Sequence, residues 1–153
     1  IGLSIYRRLS SEAIATEMQA QLRHVGIKIE VHPHEKSTFF SSGDFDLGIY
    51  SVVTMPTGDP YAFLRDAVGS TGVANYGHYR SAAADQALTQ LAVTFDPAQR
   101  IQLVNQIQQQ VIDDRAMDFI GFNTMQVGMA KGVSGLLSTP SDYYQVTKDL
   151  DKE

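Results

Sequence analysis

Residues 1–31, IGLSIYRRLSSEAIATEMQAQLRHVGIKIEV, decide the fold. Ile1, Leu3 and Ile5 alternate with Gly2, Ser4 and Tyr6, the period of a strand with one buried face. Ser10 or Ser11 then offers an N-cap hydroxyl, and Glu12 stands where a carboxylate complements a helix dipole. Ile14, Met18, Leu22 and Val25 recur at spacings of four, four and three, one apolar stripe of a helix. Gly26, tolerant of left-handed backbone, ends that helix, and His24 in its last turn suits the negative end of the dipole. Ile27, Ile29 and Val31 alternate with Lys28, Glu30 and His32 as a second strand. Strand, helix and strand in so short a span form a βαβ unit, so the two strands run parallel.

Outward from this unit, residues 35–42 read as a short helix that turns Phe39 and Phe40 inward, stopped by Gly43. Phe45, Leu47 and Ile49 alternate with Asp46, Gly48 and Tyr50 as a third strand. The turn formers TMPTGDP at 54–60 make a loop at that strand's end, and Asp59 followed by Pro60 starts a helix holding Phe63, Leu64 and Ala67. Residues 69–80 are glycine-rich, polar and irregular. A helix over 82–95 has Ala84, Leu88, Leu91 and Ala92 as its stripe. Asp96 and Pro97 open another, with Ile101, Val104, Ile107, Val111 and Ile112 inward. Residues 117–123 read as a fourth strand, followed by a short strand to Ala130, a turn at Gly132 to Gly135, and an extended tail.

Composition excludes several classes. The chain has 153 residues, enough to bury roughly two thirds of its unfolded surface in one core, and too few for two full domains. Twelve basic against seventeen acidic residues give a net charge of −5, with no basic block for a nucleic-acid phosphate backbone. The absence of cysteine removes disulfide scaffolds, thiolate zinc sites, iron–sulfur clusters and cysteine nucleophiles. No apolar run reaches the roughly 18 residues of a membrane span, and no signal-peptide pattern is present. Beginning without methionine, in apolar IGLSIY, the sequence reads as a processed or excised piece.

Few motifs carry chemistry. His32, Pro33, His34 and Glu35 place two imidazoles near a carboxylate, but on the polar side of a strand end they read as a solvated surface loop. Asp44 with Asp46, and Asp113 with Asp114, fit turn and helix-end chemistry better than a hydrolytic carboxylate pair. There is no Gly-x-Ser-x-Gly elbow, His-Glu-x-x-His motif, phosphate loop or dinucleotide fingerprint, so an enzyme, such as a hydrolase domain, is the unfavoured alternative. The loop from Val53 to Tyr79 is different. It leaves a strand's carboxyl end, where open α/β sheets bind ligands, and it concentrates Met55, Arg65, Asn75, Tyr76 and Tyr79. His78 in the same loop is the residual candidate for touching a metal or ligand; no metal site is otherwise assigned.

The order EAIATEMQAQLRHVGIKIEVH, FSSGDFDLGIY, GDPYAFL, NYGHY, AAADQAL, DPAQRIQLVNQIQQQVIDD and KGVSG resembles the carboxy-terminal lobe of the family 5 extracytoplasmic solute-binding proteins, the dipeptide-, oligopeptide- and nickel-binding receptors of ABC importers. The resemblance implies an α/β fold, one lobe of a type II periplasmic-binding-protein-like architecture with a βαβ start and a mixed sheet flanked by helices. It implies a ligand-binding lobe over 1–137 and a tail over 138–153 that packs on a missing amino-terminal lobe. Peptide receptors of the family carry an acid ahead of the Asp-Pro turn; here Thr54, Met55, Pro56, Thr57 and Gly58 precede Asp59 and Pro60. That departure, with the PTGDP form and the SDYY tail, is more similar to the nickel and metallophore branch. The implied protein is a non-enzymatic receptor without a cofactor of its own, periplasmic or lipid-anchored on the outer face of the membrane. It would deliver a metal chelate, or alternatively a short peptide, to an ABC permease. Thr54, Met55, Arg65, Asn75, Tyr76 and Tyr79 are the implied ligand contacts.

Overall fold

A computed structural model describes residues 1–35, 45–55, 57–122, 124, 127–137 and 147–152. The expected βαβ unit opens the chain: β1 (Gly2–Tyr6), α1 (Leu9–His24) and β2 (Glu30–His34), followed by β3 (Leu47–Ile49). The sheet order is β2-β1-β3 and every pairing is parallel, with Leu3 level with Val31 and Leu47, and Ile5 level with Pro33 and Ile49. That register puts the apolar residues on one face, where Leu3, Ile5, Ile29 and Ile49 form a core with Ala15 of α1, flanked by Ile14, Met18 and Leu22. Burying each large aliphatic side chain there stabilises the fold by roughly 1.5–3 kcal/mol before entropic costs. As the central strand, β1 is buried on both faces. Ser4, expected on a polar face, is buried too, and its Oγ meets Nε2 of His34 at 3.2 Å.

Three details of this unit differ from the sequence reading. The N-cap is Arg8, with extended backbone and no side-chain bond to the helix, in place of Ser10 or Ser11. Ser11 is instead buried one turn before Ala15, and these two small residues let the helix lie close to the sheet. Val25 is exposed because it is the C-cap, past the last full turn. Beyond it Gly26, at φ +82°, makes a Schellman end: its amide bonds the carbonyl of Arg23, and that of Ile27 bonds Leu22. Ile27 is thus spent on the helix terminus, and β2 starts at Glu30.

His32, Pro33 and His34 belong to β2, and the expected surface loop is a strand there. Proline is tolerated because of parity along the ladder. The Glu30 amide and the His34 carbonyl bond β1, so even-numbered positions face the ladder and Pro33 turns its missing N–H outward at the sheet edge.

The helix read over 35–42 falls largely on residues 36–44, outside the described residues. After β3 come α2 (Tyr61–Ala67), α3 (Ala82–Val93) and α4 (Pro97–Asp113). Pro60 rather than Asp59 takes the cap position of α2, yet Asp59 Oδ1 still accepts the Tyr61 amide at 2.8 Å. Ser81 and Asp96 cap α3 and α4, their side chains accepting from the amides of Ala84 and Gln99. The seam between α3 and α4 is narrower than expected. Ala84, Ala87, Leu88 and Leu91 are buried against Ile107 and Val111, whereas Ala92, Ile101 and Ile112 are exposed. A polar clamp missed in the sequence ties these pieces. Arg100 bonds Asp59 Oδ2 through Nη2 at 2.6 Å and Nε at 3.1 Å, while its Nη1 donates to the carbonyls of Leu91 and Thr94.

The chain separates into two compact units, Ile1–Ala116 and Met117–Glu153. In the second, the strand expected over 117–123 is absent from the described residues 117–122, where Phe119, Ile120 and Phe122 are exposed. Among the described residues, no segment pairs with this apolar alternation to complete a backbone ladder. The short strand to Ala130 is likewise irregular over 127–130. In place of a plain turn at 132–135, Val133–Ser134 form β4, paired antiparallel with β5 (Asp151–Lys152). Residues 138–146 of the tail lie outside the described residues.

Candidate functional site

The parallel sheet ends its strands on one side, and the chain leaves β3 there through Tyr50, Val52 and Val53. These three residues, with Ala62, Phe63, Asp66 and Ala67 of α2 and Ala74 beyond it, line a cavity of about 240 Å³. The position is the one that open parallel sheets use for ligands, beyond the carboxyl ends of strands. Local chemistry holds the walls. Gly58 donates to the Met55 carbonyl at 3.1 Å to close a turn before α2, and Ala74 donates to the Asp66 carbonyl at 2.9 Å to bring the far wall back. Gly72 makes that return possible: a Cβ there would lie 2.2 Å from the Asp66 carbonyl oxygen.

The expected site residues divide into two groups. Thr54 and Met55 continue directly from the lining residues Val52 and Val53, Thr54 half-buried and Met55 exposed. Tyr76 packs its ring edge-on to Tyr50, with centroids 6.1 Å apart. The others face their own structure. Arg65 makes a two-pronged pair with Asp66, at 2.7 and 3.1 Å, and lies over the ring of Tyr61. Asn75 is buried, donating to the carbonyls of Gly69 and Tyr79 and accepting the Tyr79 amide, so it braces the loop from inside. The Tyr79 hydroxyl donates to Asp114 at 2.5 Å. Burial and that carboxylate push the Tyr79 phenol up, and the same bond with one from Gln110 holds Asp114 low. His78 is exposed, in left-handed backbone at φ 52°.

Two further groups read in the sequence as candidates serve the fold. Asp46 Oδ2 accepts the Gly2 amide at 2.7 Å, and His34 meets Ser4. Among the described residues no three His, Asp or Glu side chains are grouped to hold a metal ion. No helix among them is long and apolar enough to cross a membrane.

Sequence reasoning missed Tyr50, Phe63 and Asp66 as cavity walls, and Tyr6 and Arg8 beside them. Arg8 stacks its guanidinium 5.0 Å from the Tyr6 ring centroid, and its Nε donates to the Tyr6 hydroxyl at 3.0 Å. Tyr6 and Tyr50 each follow the Ile5–Ile49 register pair by one residue, which seats them side by side. The Tyr50 phenol is pushed up, first by burial and then by Tyr76, with Arg8 opposing. For Tyr6, Arg8 and Tyr50 the signal available in the sequence was position alone: each ends, or closely follows, a strand.

No family model matches the sequence. The probable D,D-dipeptide-binding periplasmic protein DdpA of Escherichia coli is 29% identical over 137 residues, which cover 84% of this chain and 26% of that protein. The nickel-binding protein NikA of Staphylococcus aureus is 25% identical over 135 residues, covering 87% of this chain and 28% of NikA. The crystal structure of Staphylococcus aureus NikA in complex with Ni(L-His)2 superposes on the whole chain with a TM-score of 0.80 at 23% identity, covering 34% of that structure. The chain thus spans between a quarter and about a third of the length of these proteins. Its homologues and structural neighbours are ABC-transporter solute-binding proteins of family 5, the nickel branch among them, and the chain carries the periplasmic-binding-protein-like α/β fold of part of such a protein.

Proposed function

We propose that this chain is the carboxy-terminal, ligand-binding part of an extracytoplasmic receptor that delivers a small solute to an ABC importer, and that it binds without breaking bonds. The observation that carries this reading is the cavity of about 240 Å³ at the carboxyl end of β3, walled by Tyr50, Val53 and Phe63 on a fold shared with solute-binding proteins. The preferred ligand is nickel or another transition metal held inside a small chelator. No acid precedes Asp59 in the loop to hold a peptide's amino group, and the Staphylococcus aureus NikA structure that superposes on the chain is a complex with Ni(L-His)2, a metal held by a small chelator. Thr54, Met55 and Tyr76 would contact the solute beside Tyr50, with Arg65, Asn75 and Tyr79 shaping the loop that presents them. The segment over 138–153 would pack on an amino-terminal lobe, the two lobes closing on the solute by a hinge motion. The receptor would work outside the cytoplasmic membrane, free in a periplasm or tethered by lipid, against an ABC permease.

A second reading, a short-peptide receptor, is favoured by the relation to the protein named for D,D-dipeptides. The two are separated by thermal shifts of a full-length receptor carrying this sequence. A rise in melting temperature with nickel–histidine or opine metallophore chelates, and none with di- and tripeptides, supports the first reading. A peptide-selective rise reverses it, and steady turnover of a hydrolase substrate panel overturns both.

A further inference from the structure

We infer that Arg100 is a positioning residue of the solute site, fixing the loop wall of the cavity through Asp59; the inference rests on the receptor reading above and names the group that holds its binding loop in shape. The walls of the cavity are built in two ways. Ala62, Phe63, Asp66 and Ala67 belong to α2, and burial of Leu64, Ala67 and Val68 anchors that helix and its end. Val52 and Val53, with Thr54 and Met55 beyond them, are loop. Val52 and Met55 are exposed, so little burial anchors this second wall. Among the described residues, Val52 to Gly58 make hydrogen bonds only within the loop and to Asp59. The Gly58 amide reaches the Met55 carbonyl at 3.1 Å, and the Thr57 hydroxyl reaches the Asp59 carbonyl at 3.4 Å.

Asp59 is where this loop meets a fixed frame. Its Oδ1 accepts the Tyr61 amide at 2.8 Å, at the start of α2, and its Oδ2 accepts from Nη2 and Nε of Arg100 at 2.6 and 3.1 Å. The guanidinium is itself immobilised. Its Nη1 donates to the Leu91 and Thr94 carbonyls at 2.8 and 2.6 Å, and 22% of the side chain is exposed. Four bonds in a planar fork fix its orientation, a geometry that the point charge of a lysine cannot reproduce. The loop is therefore tied to the α3–α4 hairpin as well as to α2. Arg100 does not line the cavity, so it acts on a solute only through Asp59 and the loop. A binding surface held in shape beforehand loses less affinity to ordering when its ligand arrives.

The test titrates benzene, an apolar probe small enough for a cavity of about 240 Å³, into the 153-residue chain. The methyl signals of Val53, Met55 and Ala67 are followed by NMR, and the parent should respond saturably. Arg100→Met should weaken binding by about three- to tenfold. It should also shift the Val53 and Met55 signals, not that of Ala67, before any benzene is added. Arg100→Lys should restore part of the affinity. Asp59→Asn should weaken binding too, and it carries the same test where Arg100→Met folds poorly. The double variant should bind no worse than Arg100→Met alone, because the two residues form one tie. Asp96→Ala separates positioning from general loosening: it removes the cap of α4 in the same hairpin and should bind benzene as the parent does. Parent-like binding by Arg100→Met, an equal loss in Asp96→Ala, or no saturable response in the parent overturns the assignment. If the Arg100 dependence holds while a full-length receptor ignores chelates and peptides alike, only the receptor reading falls.

Discussion

The two units of the chain use similar residues to opposite effect. In residues 1–116, leucine, isoleucine and valine meet one another, and every buried hydrophobic residue among those described lies at or before Val111. In residues 117–152, Phe119, Ile120 and Phe122 are as apolar, yet they stand in solvent, Phe122 at 96% exposure. The difference lies in connectivity. A strand–helix–strand run brings its own partner surface within a few dozen residues, while an isolated apolar stretch becomes core only where another segment covers it. Apolar sequence marks an appetite for burial; topology decides whether it is met.

The sharpest way to break that comparison is to truncate one residue from each unit. Leu3→Ala, in a site with no solvent exposure, should cost about 2–5 kcal/mol in urea unfolding, and Phe122→Ala should stay within about 0.5 kcal/mol. Comparable losses from both would mean that the second unit has a core of its own. Glycines offer a steric version of the same contrast. Gly72→Ala forces backbone against the Asp66 carbonyl and should cost about 1–3 kcal/mol, while Gly128→Ala meets nothing within 4 Å and should be neutral by thermal melting.

Polar ties come next in size. Arg100→Met removes four hydrogen bonds that join the start of α2 to the α3–α4 hairpin, and should cost about 1–3 kcal/mol. The acid partner gives this tie a pH dependence. Burial raises the Asp59 carboxyl, but the Tyr61 amide and Arg100 outweigh it and hold it below its ordinary value. The folded state therefore prefers the ionised form. Its stabilisation is complete above the unfolded carboxyl's pKa, about 4, and is lost as pH falls through the lower folded value. Asp59→Asn should flatten the fall in urea midpoint below about pH 4, and an unchanged acid limb would show that the tie is not what titrates. Smallest is the cap of α4: Asp96→Ala should cost about 1 kcal/mol and Asp96→Ser much less, read as a shift in melting temperature.

How much of this was legible in the sequence follows from the range of the interactions involved. The opening unit could be read because alternation, a four-residue stripe and Gly26 are local signals; they err at ends, where Arg8 displaces Ser10 as cap and Ile27 is claimed by the helix, and at Ser4, which the central position of β1 buries. The strand expected at 117–123 failed for the complementary reason: side-chain pattern says nothing about whether a ladder partner exists. At the site, Tyr76 and the loop from Val53 were visible as an ordered loop rich in binding side chains. Tyr6 and Tyr50 were not, because their adjacency depends on a parallel register joining strands more than forty residues apart. Asn75 illustrates a different limit. An amide suited to a ligand is equally suited to the carbonyls of Gly69 and Tyr79, and the sequence does not distinguish these uses.

Pro33 gives the sheet a direction of growth. With no amide to offer at Pro33, the outer side of β2 lacks one ladder donor and resists recruitment of a further strand, from this polypeptide or a neighbouring molecule. Widening of the sheet is favoured across β3 instead, the flank that also leads into the cavity wall at Tyr50, so enlargement of the scaffold and completion of the binding face would proceed from the same side.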